Sequence, residues 1–138
     1  MSLTRYTPLF FTMLGLLSGA LHLLIAFNIY LPGTVLTMLL TVGMFGAWMM
    51  ASRRIGACIK AAPEEGNPLR FCLEQLPPVF RYGLAFLMLY MLINFYMSLP
   101  WPDGGSGLFD FRITPLKLRG LSGFWMFFYS LAAVYSRR

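Results

Sequence analysis

A run of 47 residues, from Tyr6 to Ser52, contains no Asp, Glu, Lys or Arg and is interrupted only by Leu31-Pro32-Gly33. The run is apolar on every side for much longer than the ~18 residues that mark a transmembrane helix. Backbone N–H and C=O groups must be paired within the bilayer core, which leaves only a helix or a closed barrel. The period-two alternation of a barrel strand is absent, so the run predicts two transmembrane helices joined by a tight turn.

The composition indicates one membrane domain over residues 1–138. The chain is 58% hydrophobic with a mean hydropathy of +0.66, which is too apolar for a soluble domain, and it is short for two domains. The net charge of +6 comes from basic residues that flank the apolar runs, as the positive-inside rule expects. No separate basic patch with interleaved aromatic residues is present, so we expect no nucleic-acid partner.

Four spans follow from the apolar runs, with approximate bounds 8–31, 34–52 (continuing as a helix to about 62), 79–99 and 119–136. Thr7 is predicted to cap the first helix, with Pro8 at its first helical position. The uncharged part of the fourth span has 16 residues, about 24 Å of helix. Leu116 and Leu118 must therefore contribute to it while Lys117 and Arg119 extend outward.

A short amphipathic helix is predicted between the second and third spans, from Pro68 to Leu76 with Asn67 as its cap. It lies either on the membrane surface or against the extension of the second span. The expected fold is thus an all-α integral membrane four-helix bundle with a short cytoplasmic amphipathic helix.

The distribution of basic residues predicts that both termini are cytoplasmic. Eight of the 11 Lys and Arg residues fall on one side of a four-span chain and three on the other, a bias that three spans would not give. The eight are Arg5, Arg53, Arg54, Lys60, Arg70, Arg81, Arg137 and Arg138, and the three are Arg112, Lys117 and Arg119.

Cys58 and Cys72 fall in the loop predicted to be cytoplasmic, where thiols are kept reduced, so we expect both to be free. Neither belongs to a CxxC pair, and His22 is the only histidine. No metal site and no cofactor are therefore predicted.

Small residues recur on one face of the first two spans, which predicts close helix packing. They are Gly15, Ser18 and Gly19 in the first span and Gly43 and Gly46 in the second. The face either packs within the chain or forms the seam of a homodimer.

Polar residues inside a membrane are costly and mark candidate sites. His22 and Asn94 are predicted at nearly the same depth, so they could form an interhelical hydrogen bond that Thr41 and Tyr90 join. In a sharper interpretation His22 is an axial haem ligand, a proton carrier, or a contact for lipid or quinone. A single histidine with no intramembrane acid argues against the haem and proton roles.

An enzyme is not predicted, because no nucleophile and base are adjacent in the sequence. The acids Glu64, Glu65, Glu74, Asp103 and Asp110 all lie in the connections between predicted spans, and no Ser or Cys is next to His22.

The segment Arg119-Gly120-Leu121-Ser122-Gly123-Phe124-Trp125-Met126 resembles the ending of a group of small four-span bacterial inner-membrane proteins. The resemblance implies the same topology and a location in the bacterial inner membrane. It implies no activity.

The function expected is therefore binding. The chain would act as an accessory subunit or an immunity-type protein that binds another membrane or periplasmic protein or itself, with membrane lipid around it. Its expected partner surface is an outer loop carrying Asp103, Phe109, Asp110, Phe111 and Arg112, next to a flexible Gly-rich stretch. The alternative is an oligomeric small transporter or channel lined by Thr37, Thr41, His22, Asn28 and Asn94.

Overall fold

The computed structural model describes residues 6–99 and 114–137, which form five helices and no strand. The all-α prediction is confirmed for these residues. The helices are α1 (Thr7–Ala26), α2 (Thr34–Lys60), α3 (Pro68–Glu74), α4 (Pro78–Ser98) and α5 (Pro115–Tyr135). Three of them, α1, α2 and α4, are long and apolar enough to cross a membrane.

The centre of the molecule is α5. Each of the other three long helices packs mainly against α5, and α1 makes the most extensive contact. Ten of the 21 residues of α5 are buried, against four or five in each of α1, α2 and α4. The arrangement is therefore three helices around a central fourth.

Pairs of facing residues fix the direction of each helix relative to α5. Both α1 and α4 run antiparallel to α5, whereas α2 runs parallel to it. The pairs are Gly15 with Ser130 and His22 with Ser122 for α1, Asn94 with Gly123 and Phe80 with Arg137 for α4, and Thr41 with Trp125 and Gly43 with Tyr129 for α2.

The first helix ends earlier than predicted, at Ala26 and not near residue 31. Asn28 adopts a left-handed backbone with φ 54°, a conformation that Asn tolerates better than most residues. Its N–H donates to Ile25 O and the Ile29 N–H donates to Leu24 O, which is the Schellman pattern that closes a helix. The predicted end near residue 31 was assigned from Pro32, whereas Asn28 ends the helix.

The starts of α1 and α5 also correct the prediction. Thr7 is the first helical residue of α1 and not its cap. Thr114 caps α5 by accepting a hydrogen bond from the Lys117 N–H, and Pro115 takes the first helical position. The helix therefore begins four residues before the predicted 119. Its 21 residues measure about 31 Å, close to the thickness of a hydrocarbon core.

The short helix α3 has the predicted cap: the Asn67 side chain accepts hydrogen bonds from the backbone N–H groups of Leu69 and Arg70. It packs against α2 and, less extensively, against α4. Of the two placements left open, the structure therefore shows the one against the extension of α2.

Cys58 of α2 and Cys72 of α3 are joined in a disulfide, which corrects the expectation of two free thiols. Because α2 continues past the apolar run to Lys60 and α3 folds back on it, the two Cα atoms lie 5.9 Å apart. This distance falls within the range that a disulfide bridges. Sequence spacing alone did not reveal that the two residues face each other.

The small face of α1 packs within the chain. Gly15 and Ser18 are buried, and a Cβ at Gly15 would lie 3.3 Å from Ser130 Oγ of α5. A Cβ at Gly19 would lie 3.7 Å from the Met126 sulfur, also of α5. Small side chains here thus allow α1 to approach the central helix closely.

The two glycines predicted for packing in α2 have different surroundings. A Cβ at Gly43 would overlap the Tyr129 hydroxyl of α5, so this glycine is a packing position. Gly46 is exposed, and a Cβ there would meet no atom within 4 Å. Gly46 therefore packs against no other helix of the chain, because it lies on the outward side of α2.

Candidate functional site

His22 is held between α4 and α5 by both ring nitrogens. Its Nδ1 lies 2.8 Å from Ser122 Oγ, and its Nε2 lies 2.6 Å from the Tyr90 hydroxyl. The side chain is 2% exposed. Three helices that are distant in sequence thus meet at one imidazole.

The partners of His22 determine which atom donates in each of its hydrogen bonds. Ser122 donates its single hydroxyl hydrogen to Arg119 O, at 2.9 Å. Ser122 must therefore accept from His22 Nδ1–H, which leaves Nε2 to accept from the Tyr90 hydroxyl. The tautomer follows from this donor count. The bonds run in one direction, an arrangement in which each bond polarises and strengthens the next.

Asn94 joins the same site through a backbone group. Its Nδ2 donates to Arg119 O at 2.8 Å, so this carbonyl accepts from α4 as well as from Ser122. The two partners of His22 are Ser122 and Tyr90, and neither is the Asn94 expected from the sequence. Asn94 does lie close to the site, as its expected depth implied, but it bonds Arg119 O near the start of α5. Tyr90, one helical turn earlier in α4, bonds the imidazole instead.

Thr41 belongs to a separate contact between α2 and α5. The Trp125 Nε1–H donates to Thr41 Oγ1 at 3.2 Å, and Thr41 donates to Thr37 O at 2.7 Å. Nearby, the Tyr129 hydroxyl donates to Leu40 O at 2.8 Å. Thr41 therefore fixes α2 and does not share the His22 network.

The segment 119–126 supplies contacts to every long helix. Ser122 bonds α1, Trp125 bonds α2, and the Arg119 carbonyl bonds α4. A Cβ at Gly120 would lie 2.9 Å from Ser98 Cβ, and one at Gly123 would lie 3.1 Å from Asn94 Nδ2, so both glycines let α4 approach. The segment is the packing centre of the molecule, a role that the sequence reasoning did not assign to it.

The fold creates a Ser–His contact that adjacency in the sequence did not predict. The Ser122 proton, however, is directed to Arg119 O and not to the imidazole, so His22 is not placed to accept it as a general base does. Ser122 is also 0% exposed, which leaves no approach for a substrate. The geometry is that of a structural contact.

The geometry of His22 also bears on the role of axial haem ligand considered for it above. An axial haem ligand needs one ring nitrogen directed at the iron, and both nitrogens of His22 face side chains 2.6–2.8 Å away. Within residues 6–99 and 114–137, no cluster of His, Cys, Asp and Glu could hold a metal ion.

Two apolar clefts lie beside α5. The α2 cleft, of about 370 Å³, is lined by Met44, Phe45, Trp48, Leu121, Phe124 and Phe128. The α1/α4 groove, of about 590 Å³, separates α1 from α4, has α5 as its floor, and includes Gly19, Gly83, Met126 and Arg137.

The predicted outer-loop surface cannot be placed. Asp103, Phe109, Asp110, Phe111 and Arg112 all lie outside the described residues.

The described residues define a helical protein whose α1, α2 and α4 can each cross a membrane. Comparisons with protein families, with curated proteins and with solved structures find no match to this chain.

Proposed function

We propose that this chain is a four-span protein of the bacterial inner membrane, with both termini in the cytoplasm, that acts by binding another protein. An accessory subunit and an immunity-type protein both fit this description. The observation that carries the proposal is that the polar groups of the apolar helices are buried between the helices, which leaves an apolar outer surface. Among the described residues, the six buried polar ones all lie on the long helices: Ser18, His22, Thr37, Asn94, Ser98 and Ser122. The outer faces of α1, α2 and α4 are apolar.

The placement of α5 supports a fourth span. It lies antiparallel along α1 from Ser122 beside His22 to Ser130 beside Gly15, so it occupies the same depth as a helix that can cross the membrane. Its lower hydropathy is consistent with a span that the other helices shield from lipid.

A transporter or channel would need polar groups facing a path or an oligomer seam. Thr37, His22 and Asn94 are buried within the chain, and Thr41 bonds Trp125. The described residues therefore favour binding over transport.

The test is purification from native membranes in a mild detergent. We expect a second protein at a fixed stoichiometry. A photoreactive residue in place of Asp110, in the loop proposed to face outward, should crosslink to it, while one in place of the exposed Glu65, in the opposite loop, serves as the matched control. Recovery as a lone monomer with no crosslink at either position would contradict the proposal.

A further inference from the structure

We propose that the α1/α4 groove binds one acyl chain of a phospholipid whose anionic headgroup is held by Arg137. The proposal rests on the membrane location in the proposed function but not on the protein partner. It therefore stands or falls separately from the search for that partner.

The groove is open because small residues line its walls. Gly15, Gly19 and Ala20 lie on the α1 side and Gly83 on the α4 side, with Ser130 and Ala133 among the floor residues of α5. A Cβ at Gly83 would meet no atom within 4 Å. Its volume of about 590 Å³ lies within the range of small-molecule sites in proteins.

Charge is present at one end only. Arg137 lies at the end of α5, and its guanidinium carbon is 5.2 Å from the centroid of the Phe80 ring, which also lines the groove. Among the described residues, no carboxylate pairs with Arg137, and the Arg70–Glu74 ion pair lies elsewhere, within α3. The far end is apolar, formed by Leu23, Leu87 and Met126. A cationic mouth and an apolar trench match a ligand with an anionic head and a hydrocarbon tail.

The length of the groove favours a lipid over a second helix. Its wall on α1 extends from Thr12 to Leu23, which corresponds to about 16 Å of helix. This is about half the thickness of the hydrocarbon core, the depth of one leaflet. A transmembrane helix of a second copy extends through the whole core, so the groove would cover only about half of its length.

The test is lipid selection from an equimolar mixture of phosphatidylglycerol and phosphatidylcholine with matched chains. The protein is reconstituted, extracted in mild detergent and examined by native mass spectrometry. We expect one retained lipid per chain, with phosphatidylglycerol enriched about fivefold, as one interfacial cation predicts. Recovery of the two lipids in their bulk ratio would overturn the proposal.

Matched variants separate the groove from general surface charge. Arg137→Gln should abolish the enrichment, while Arg81→Gln should keep it, because Arg81 lies at the same end of the bundle, on α4, but outside the groove. Gly83→Leu should remove the retained lipid by filling the groove, while Gly46→Leu, at an equally open helical glycine of α2, should not. Equal effects within either pair would contradict the assignment.

Two further arms keep the outcome decisive. If Gly83→Leu fails to fold, Ala20→Phe fills the groove from the opposite wall with the same expected loss. Excess inorganic phosphate should leave the lipid in place. If phosphate displaces the lipid, Arg137 binds a free anion and not a lipid headgroup. Dimer masses that Gly83→Leu converts to monomer would assign the groove to a second copy. Either result would overturn the proposal.

Discussion

At the scale of single residues, His22 is a junction that fixes three helices. Its two hydrogen bonds lie on opposite sides of the ring, one to α4 and one to α5. Interhelical hydrogen bonds in membranes contribute about 0.6 to 2 kcal/mol each. The contribution is thus modest, and its main consequence is that only one rotation of α1 about its axis satisfies both partners.

The first prediction concerns Tyr90. Tyr90→Phe removes the hydroxyl that faces His22 Nε2, and we expect it to lower the free energy of unfolding by about 0.6 to 2 kcal/mol. Tyr82→Phe is the matched control, because Tyr82 is 66% exposed on the same helix. Reversible unfolding in mixed detergent micelles measures both. In a His22→Ala background the cost of Tyr90→Phe should vanish, and an unchanged cost would place the effect elsewhere.

The sequence predicted which residues form the site better than it predicted their pairing. His22, Tyr90 and Asn94 stand out because polar side chains are rare in apolar runs, and helical rise placed them at similar depth. Ser122 was not singled out, because a serine in a helix usually bonds its own backbone. Its pairing with His22 depends on the rotation of α5 about its axis, which hydropathy does not encode.

At the scale of helices, the molecule depends on α5 more than on the helices with the stronger apolar signal. The mean hydropathy of the best window is 2.0 in α1, 1.7 in α2 and 1.4 in α4, and these windows are only 17–28% buried. Hydropathy reports contact with lipid, so the helix shielded by the other three gives the weakest signal. For this reason the sequence identified α1, α2 and α4 readily, whereas the central place of α5 emerged only from the contacts.

A matched pair of tryptophans tests the central role of α5. Trp125 in α5 is 0% exposed and donates a hydrogen bond to Thr41, whereas Trp48 in α2 is 48% exposed. We expect Trp125→Ala to lower the free energy of unfolding by about 3 kcal/mol, because it leaves a cavity and removes the hydrogen bond that Thr41 accepts. Trp48→Ala should cost about 1 kcal/mol or less. Similar losses in the same detergent unfolding assay would mean that α2 is packed as tightly as α5.

At the scale of the whole molecule, two observations indicate opposite sides of the membrane for the loop between α2 and α4. The count of basic residues, eight against three, predicts that this loop is cytoplasmic. A disulfide such as Cys58–Cys72 is typical of oxidising compartments and rare in the cytoplasm. The basic bias acts during insertion and extends over the whole chain, so we expect it to determine the orientation. The cysteine pair should then be reduced during growth and oxidise when the cytoplasmic reductants are removed.

The last prediction is therefore an orientation that the two cysteines themselves report. Alkylation of growing cells that are quenched with acid and denatured, which exposes the buried Cys72, should modify both Cys58 and Cys72, whereas protein extracted in air and alkylated only afterwards should carry neither label, because the disulfide has closed. In a Cys58→Ser/Cys72→Ser background, Ser106→Cys should react with an impermeant reagent from outside, and a reporter fused after Arg138 should be active in the cytoplasm. Protection of Cys58 and Cys72 in growing cells, together with a silent cytoplasmic reporter, would reverse the orientation. The reversed protein would present the disulfide-linked α3 to the periplasm, so the search for a partner would move to that face.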